Sequence, residues 1–372
     1  IINDLSLNRV FAESHDVTLG YYRASWSSDD FWLLGNPIPV HNVANGLPLD
    51  PTTTPADIAA AGGDAGFLFG LQSAGDANSE AIYLADSWQM TDRLRLDLGI
   101  RYEELTIDYV LDTGPGFANG IFLPGEGDTE VHLKGDETAY TAAVNYDFTD
   151  ELGAFVRYTE GFLFPHFDDI RENRNSVDEV KQFEAGVKYN TGPFQLYGTA
   201  FYNENDAFSS TVGGVLPPTA FTTEAYGIEL DGSLNFGALV VSLIGTIQET
   251  EITDSTTASD IGNKVLRQPD WQLRLSPSYS FEAGDFETTV YVGATFVDDR
   301  FGDNANTVPL DSYEKIDVGV MVHTGGGLFF QVHGDNVTDS DGITEGDPRD
   351  PAAPNGRPIF GRSVMFSVGY DF

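Results

Sequence analysis

Trp271-Gln-Leu-Arg-Leu-Ser-Pro-Ser-Tyr-Ser-Phe281 is the stretch whose reading decides the fold. Trp271, Leu273, Leu275, Pro277, Tyr279 and Phe281 fall on one face of an extended chain, and Gln272, Arg274, Ser276, Ser278 and Ser280 on the other. Successive side chains of a strand point to opposite faces, so this spacing puts one face in an apolar medium and the other in a polar one. The run is longer than the usual globular strand of about five or six residues and matches the roughly nine or more that cross a bilayer at a tilt.

Working outward, the same period recurs along the whole chain. Leu94, Leu96, Leu98, Ile100 and Tyr102 alternate with Arg93, Arg95, Asp97, Gly99 and Arg101. Phe183, Ala185, Val187 and Tyr189 alternate with Gln182, Glu184, Gly186 and Lys188, and Ile316, Val318, Val320 and Val322 with Lys315, Asp317, Gly319 and Met321. Val364, Phe366, Val368, Tyr370 and Phe372 close the chain. About fifteen strands are expected. They run Leu5–Phe11, Val17–Ser25, Glu80–Trp88, Leu94–Tyr109, Thr138–Phe148, Gly153–Glu160, Val180–Tyr189 and Phe194–Asn205. They continue Ala225–Phe236, Ala238–Glu249, Trp271–Phe281, Phe286–Val297, Tyr313–Val322, Leu328–Asn336 and Val364–Phe372.

The connections alternate short and long. Ser14–Asp16, Gln89–Arg93, Thr149–Leu152, Asn190–Pro193, Gly237, Glu282–Asp285 and His323–Gly327 are short. Trp26–Ser79, Val110–Glu137, Gly161–Glu179, Asp206–Glu224, Thr250–Asp270, Asp298–Ser312 and Val337–Ser363 are long. Short turns on one rim and long loops on the other are the habit of outer-membrane barrels. The expected fold is all-β: a transmembrane antiparallel up-and-down β-barrel of about 14–16 strands.

Composition agrees and excludes. Aromatics make up 12% of the chain, with 26 Phe and 16 Tyr, types that favour strands. Apolar runs are only a few residues long, so no transmembrane helix can be placed. The chain has no Cys, which removes disulfides, thiolate metal sites and a Cys nucleophile. No signal peptide is read, because Ile1 begins a region that already looks like strand. The formal net charge of -39, with only 19 Lys and Arg, argues against a nucleic-acid partner. The acidity fits solvated loops, divalent-cation binding or attraction of a cationic ligand.

Aromatics gather at strand ends, as in the two girdles of a membrane barrel. Trp88, Phe148, Tyr189, Phe236, Phe281 and Phe372 lie on the short-turn side. Tyr109, Tyr140, Tyr158, Tyr226, Trp271, Phe296 and Tyr313 lie on the long-loop side. Phe162, Phe164, His166 and Phe167 form an apolar patch on a long loop, fit either to grip a ligand or to pack the loop on its neighbours. His323 and His333 are expected several rungs apart on one polar face, which disfavours a shared metal. Asp335, Asp339, Asp341, Glu345, Asp347 and Asp350 cluster near the last long loop without EF-hand spacing. A short capped helix is expected at Asp57–Ala61, and Gly62–Gly66 lacks the strand-and-helix context of a dinucleotide loop. Asn336-Val-Thr338 matches a glycosylation sequon by pattern alone. No catalytic constellation, cofactor site or metal site is read.

Several segments resemble the barrel of TonB-dependent receptors. Ala81-Ile-Tyr-Leu-Ala-Asp-Ser-Trp88 with Leu94–Tyr102 is similar to one hairpin of that family, and Gln182–Tyr189 with Leu196–Tyr202 to a later one. Tyr226-Gly-Ile-Glu-Leu230 and Leu266-Arg-Gln-Pro-Asp-Trp271 also resemble family positions. Gly334-Asp-Asn-Val-Thr-Asp339 resembles the family's Asn-Leu-Phe-Asp element, and Gly356-Arg-Pro with the final strand resembles its closing segment. The resemblance covers essentially the whole chain. It implies a barrel of about twenty-two strands with an N-terminal plug and a TonB box. Neither the plug nor the box is read here, so residues 1–372 are expected to be the C-terminal strands of a partial barrel.

The resemblance further implies a bacterial outer-membrane receptor that takes up a scarce nutrient, such as a siderophore, cobalamin or carbohydrate, through its extracellular loops. Its partners would be outer-membrane lipid and lipopolysaccharide, the nutrient, and the TonB system through a plug outside this sequence. A self-contained passive channel, porin-like or of the fatty-acid type, and a scaffold barrel within a larger complex are the alternatives. An enzyme is not expected.

Overall fold

The computed structural model describes residues 1–35, 68–113, 116–118, 121–123, 128–171, 174–209, 219–347 and 355–370. Its strands, in chain order, are β1 (Ile2–Phe11), β2 (His15–Gly35), β3 (Leu68–Thr91), β4 (Leu94–Thr113), β5 (Gly116–Ala118), β6 (Ile121–Leu123) and β7 (Asp128–Asp147). Next come β8 (Leu152–Leu163), the helix α1 (Phe167–Arg171), β9 (Asp178–Asn190), β10 (Phe194–Ser209), β11 (Thr219–Phe236) and β12 (Leu239–Ser255). The rest are β13 (Trp271–Ala283), β14 (Phe286–Val297), β15 (Arg300–Phe301), β16 (Pro309–Leu310), β17 (Tyr313–Thr324), β18 (Leu328–Asp335), β19 (Ile343–Asp347), β20 (Asn355–Pro358) and β21 (Ser363–Tyr370).

One 15-stranded sheet carries the fold, in the order β1-β2-β3-β4-β7-β8-β9-β10-β11-β12-β13-β14-β17-β18-β21. Each strand pairs antiparallel with the next in sequence, and the six short strands form three ribbons within the long loops. This is the up-and-down topology of a transmembrane barrel, in which a peptide plane finds its hydrogen bonds across the ladder rather than in water. No ladder joins β1 to β21 among the described residues. The apolar face of each strand is therefore the exterior that meets lipid, and the polar face lines the lumen.

Register fixes the two faces. Val156, Ala185, Ala200 and Ile228 share one rung of the outer face across β8 to β11. Exposed Val156, Val187, Ile228 and Leu230 have no protein neighbour to bury them there, as lipid contact requires.

Several strands extend past the expected ends, among them β11, which begins at Thr219, and β12, which reaches Ser255. β2 continues to Gly35, β3 begins at Leu68, β4 reaches Thr113 and β7 begins at Asp128. Within β4 the hydrophobic phase inverts. Up to Tyr102 the apolar residues of β4 are even-numbered and face out; beyond Glu104 the odd-numbered Leu105, Ile107, Tyr109 and Leu111 turn in and are buried. The outer face there carries Glu104, Thr106 and Asp108, with exposed Val110 beyond them. The inversion marks where the outside changes from lipid to water while the inside changes from open lumen to packed protein.

Candidate functional site

The inverted segment builds a cluster on the lumenal face near the long-loop rim. Ala77, Leu105, Ile107, Tyr109, Leu111 and Ile170 are its buried members, with Val131, Leu133, Phe164 and Phe167 packed against them. Strands β3, β4 and β7 supply the wall. The loop after β8 supplies Phe164, Phe167 and Ile170, so it folds inward over the mouth.

Local chemistry shapes that loop. Pro165 is buried and ends the strand. The His166 N–H donates to Asp169 Oδ2 at 2.7 Å, the reach-back contact that caps a helix start, and Ile170 N–H donates to the His166 carbonyl at 3.1 Å. Asp168 and Asp169 lie in the first turn of α1 and Arg171 in the last, each on the favourable side of the helix dipole. Arg171 pairs with Asp168 at 2.9 Å and Arg174 with Asp169. The Phe167 ring stacks on Tyr109 at 5.5 Å between centroids. Gly75 makes room for both: a Cβ there would lie 2.7 Å from Phe167 Cε1 and from Tyr109 Cδ2.

Of the loop candidates, Phe164 and Phe167 thus belong to the packed cluster. Phe162 meets Phe164 edge-on at 4.9 Å, and the His166 side chain is exposed. Burial pushes the Tyr109 phenol up, above the level of the membrane. Burial also pushes the Asp178 carboxyl up, against the lowering effect of the Arg174 guanidinium. Tyr109, Ile170 and Gly75 were not read as site residues; the parity change within β4 is the signal that identifies Tyr109.

The barrel's outer face carries two aromatic levels. At the short turns, Trp88 stacks on His15 at 4.9 Å, and His15 Nδ1 lies 2.8 Å from Asp86 Oδ2. Phe148 meets Tyr146 edge-on, Tyr189 packs beside Phe194, Phe281 lies beside Tyr279, and Phe236 is exposed. At the other end the ladder aligns Tyr158, Phe183, Tyr202 and Tyr226 on one rung, and Glu160, Lys181, Glu204 and Glu224 on the rung beyond. Tyr158 Oη donates to Glu160 at 2.9 Å, Tyr140 and Tyr226 donate to Glu160 and Glu249, and Lys181 meets Glu204 at 2.9 Å. Trp271 faces out at the start of β13. Tyr313 shares the parity of Lys315 and Asp317 and so lies on the lumenal face, where its ring meets the Arg300 guanidinium at 5.5 Å and crowds Gly342. Tyr109 likewise faces inward. Phe372 lies outside the described residues, as do Asp57–Ala61 and Gly62–Gly66.

Three long loops on the C-terminal half brace one another. Asn263 Nδ2 donates to the Asn304 carbonyl at 2.8 Å, Asn306 Nδ2 to the Lys264 carbonyl at 2.9 Å, and Arg267 and Arg357 both meet Glu345. Asp335 pairs with Lys315 and Asp339 with Arg362, so much of the acidic cluster is spent on ion pairs. The Asp347 side chain and Asp350 lie outside the described residues. Asn336 is fully buried: Nδ2 donates to the Ser340 and Phe360 carbonyls at 2.9 and 3.0 Å, and Oδ1 accepts from Ser340 N–H at 2.9 Å. That amide is inaccessible to a glycosyl transfer. His333 pairs with Gly319 and bonds Tyr291, while His323 pairs with Phe329 and stacks on it, so the two imidazoles have separate neighbours.

Taken together, these faces and rims define an outer-membrane β-barrel. The family described as TonB dependent receptor-like, beta-barrel, matches residues 3–336, and the chain belongs to it. It is a protein of the bacterial outer membrane, in a family of receptors. A ferrioxamine receptor of Yersinia enterocolitica is 24% identical over 303 residues, covering 78% of this chain and 39% of that protein. A ferrioxamine B receptor of Salmonella typhimurium is 27% identical over 270 residues, covering 69% and 36%. The solved structure of the ferric yersiniabactin uptake receptor from Yersinia pestis superposes with a TM-score of 0.78 at 16% identity, over 100% of this chain and 54% of that one. That likeness is one of fold. The chain spans well under half the length of these two relatives.

Proposed function

We propose that this chain is the larger, C-terminal part of the barrel of a TonB-dependent receptor that imports a ferric siderophore. The observation that carries the reading is the inward-folded loop: α1 and its aromatics cover one side of the mouth above a polar lumen, leaving a shaped entrance rather than an open pore. Fifteen sheet strands, whose outer edges β1 and β21 are not joined among the described residues, fit a larger barrel completed by further strands. The relatives' names, ferrioxamine receptors, support a ferric chelate as cargo. Energy would reach the cargo through TonB acting on a plug outside this sequence, and the two aromatic levels would seat the barrel among outer-membrane lipid and lipopolysaccharide. The barrel binds and admits; no catalytic step is assigned to it.

The test is iron uptake by cells with and without the full-length gene, supplied with a panel of ferric siderophores. Uptake of at least one should depend on both the gene and TonB. TonB-independent solute flux, with open-channel conductance of the purified protein, would instead favour a passive channel.

A further inference from the structure

The lipid-facing wall is apolar almost throughout, and its exception lies near the short turns of β1, β2 and β3. Phe11, His15 and Trp88 share the outer rung nearest those turns, and Arg9, Val17 and Asp86 share the next one in. The rung beyond them holds Leu7, Leu19 and Leu84, all exposed, as a wall in contact with lipid must be. Among the described residues, Arg9 and Asp86 are the only charged side chains on the outer face between the two aromatic levels. A charge on a lipid-facing wall is expensive at the bilayer midplane and tolerable near the interface, where it has polar headgroups to meet. Both sit one rung, roughly 7 Å, inside the turn-side aromatic level, at the depth where a long side chain can reach back to the headgroups.

The contacts give these residues a direction. Asp86 Oδ2 lies 2.8 Å from His15 Nδ1, and the Trp88 indole stacks on the same imidazole at 4.9 Å between centroids with 17° between the planes. Ring plane and ring rotation are both fixed, so Nε2 is held on the side away from Asp86. It has no protein partner among the described residues, although His15 and Asp86 lie on strands flanked on both sides by described neighbours. The Arg9 guanidinium lies 5.1 Å over the Phe11 ring, and Phe11 is the ladder partner of His15. Arg9 therefore leans from its own rung toward the turns and arrives beside the imidazole. A guanidinium and an imidazole edge are thus gathered on one aromatic shelf, at the level where the bilayer's inner leaflet ends.

We propose that Arg9 and His15 bind the phosphodiester of one inner-leaflet glycerophospholipid on the outside of the barrel, with Asp86 and Trp88 as the residues that position the imidazole. The anion that a lipid-facing site meets at this depth is the phosphate of a headgroup, and a guanidinium matches its oxygens with two parallel N–H donors. An imidazole that bridges a carboxylate and a phosphate donates from both nitrogens, so the bound ring is the imidazolium. Arg9 and His15 then set two positive charges against two negative ones, Asp86 and the phosphate. Such a balanced, hydrogen-bonded set is what a boundary of low dielectric tolerates. The acyl chains would run along the exposed leucines of the next rung. The site lies on the wall opposite the lumen and is independent of the cargo.

The test is native mass spectrometry of the full-length receptor in a neutral maltoside detergent, titrated with phosphatidylglycerol, phosphatidylethanolamine or diacylglycerol, which has the same chains and no phosphate. One molecule of either phospholipid should be retained at least about tenfold more tightly than diacylglycerol. The double variant Arg9→Gln with His15→Gln should lose that preference, and Arg9→Lys, which keeps the charge, should hold most of it. The preference is the readout because a folding defect weakens retention of all three lipids together. Equal retention of diacylglycerol, or an undiminished preference in the double variant, overturns the site. Displacement of the lipid by an equal concentration of inorganic phosphate would make it a free-anion site and overturn the lipid assignment.

Discussion

Phe167→Ala should release the loop between β8 and β9 from the lumenal wall without unfolding the barrel. The ring stacks on Tyr109 and fills the space left by Gly75. A buried Phe→Ala change costs about 3–5 kcal/mol, and an aromatic pair contributes roughly 0.5–1.5 kcal/mol of its own. Phe167 is only partly buried, so about 3 kcal/mol is the expected loss. At about 1.4 kcal/mol per tenfold, that raises the open population roughly a hundredfold. The cost falls on the loop, because the sheet ladder does not depend on this ring. Two amides report it: Ile170 N–H, bonded to the His166 carbonyl at 3.1 Å, and Arg174 N–H, bonded to the Asp169 carbonyl at 2.8 Å. Hydrogen exchange of the full-length protein should speed by that factor at these amides and stay unchanged along β9 and β10. A change of less than about threefold at Ile170, or an equal change throughout the sheet, would refute the anchoring role.

Further expectations follow from the same geometry. Ala200→Arg puts a guanidinium on the lipid-facing rung beside Ala185 and Ile228 and should cost about 2–4 kcal/mol, seen as lost assembly in the outer membrane. Thr199→Arg, one residue away, points into the lumen opposite Glu229 and should assemble normally; equal behaviour of the two would undo the assignment of faces. Asn336→Ala strands two carbonyls and one N–H and should lower stability by about 2 kcal/mol, read as a lower thermal midpoint. Burial raises the folded-state pKa of Asp178 above its unfolded value, so its charge penalises the docked loop at neutral pH. The penalty should fade as pH drops through that raised pKa toward the ordinary carboxylate range. Exchange at Ile170, corrected for its intrinsic pH dependence, should then show a tighter loop in mild acid, and Asp178→Asn should flatten the profile.

What the sequence by itself determined is what repeats locally. A side-chain period of two is a property of any extended chain, so the run Trp271–Phe281 already carries its strand, its two faces and its fit to a bilayer. Fifteen such runs with alternating turn lengths were enough for the barrel. Parity was also on the page for Tyr109 and Tyr313, which share phase with inward Leu105 and Lys315; position at a strand end was the weaker guide, because a girdle residue must also face lipid. The phase inversion after Tyr102 was visible in the letters, yet only tertiary structure gives it meaning. What lies inside the barrel there is α1, sixty residues or so further along the chain, and no local period encodes which loop folds inward. The alignment of Tyr158, Phe183, Tyr202 and Tyr226 likewise depends on the stagger between strands, and so do the cross-strand pairs Arg157–Glu184 and Lys315–Asp335. Register is a long-range choice, set by the ladder as a whole, and it decides which charged and aromatic side chains of neighbouring strands meet.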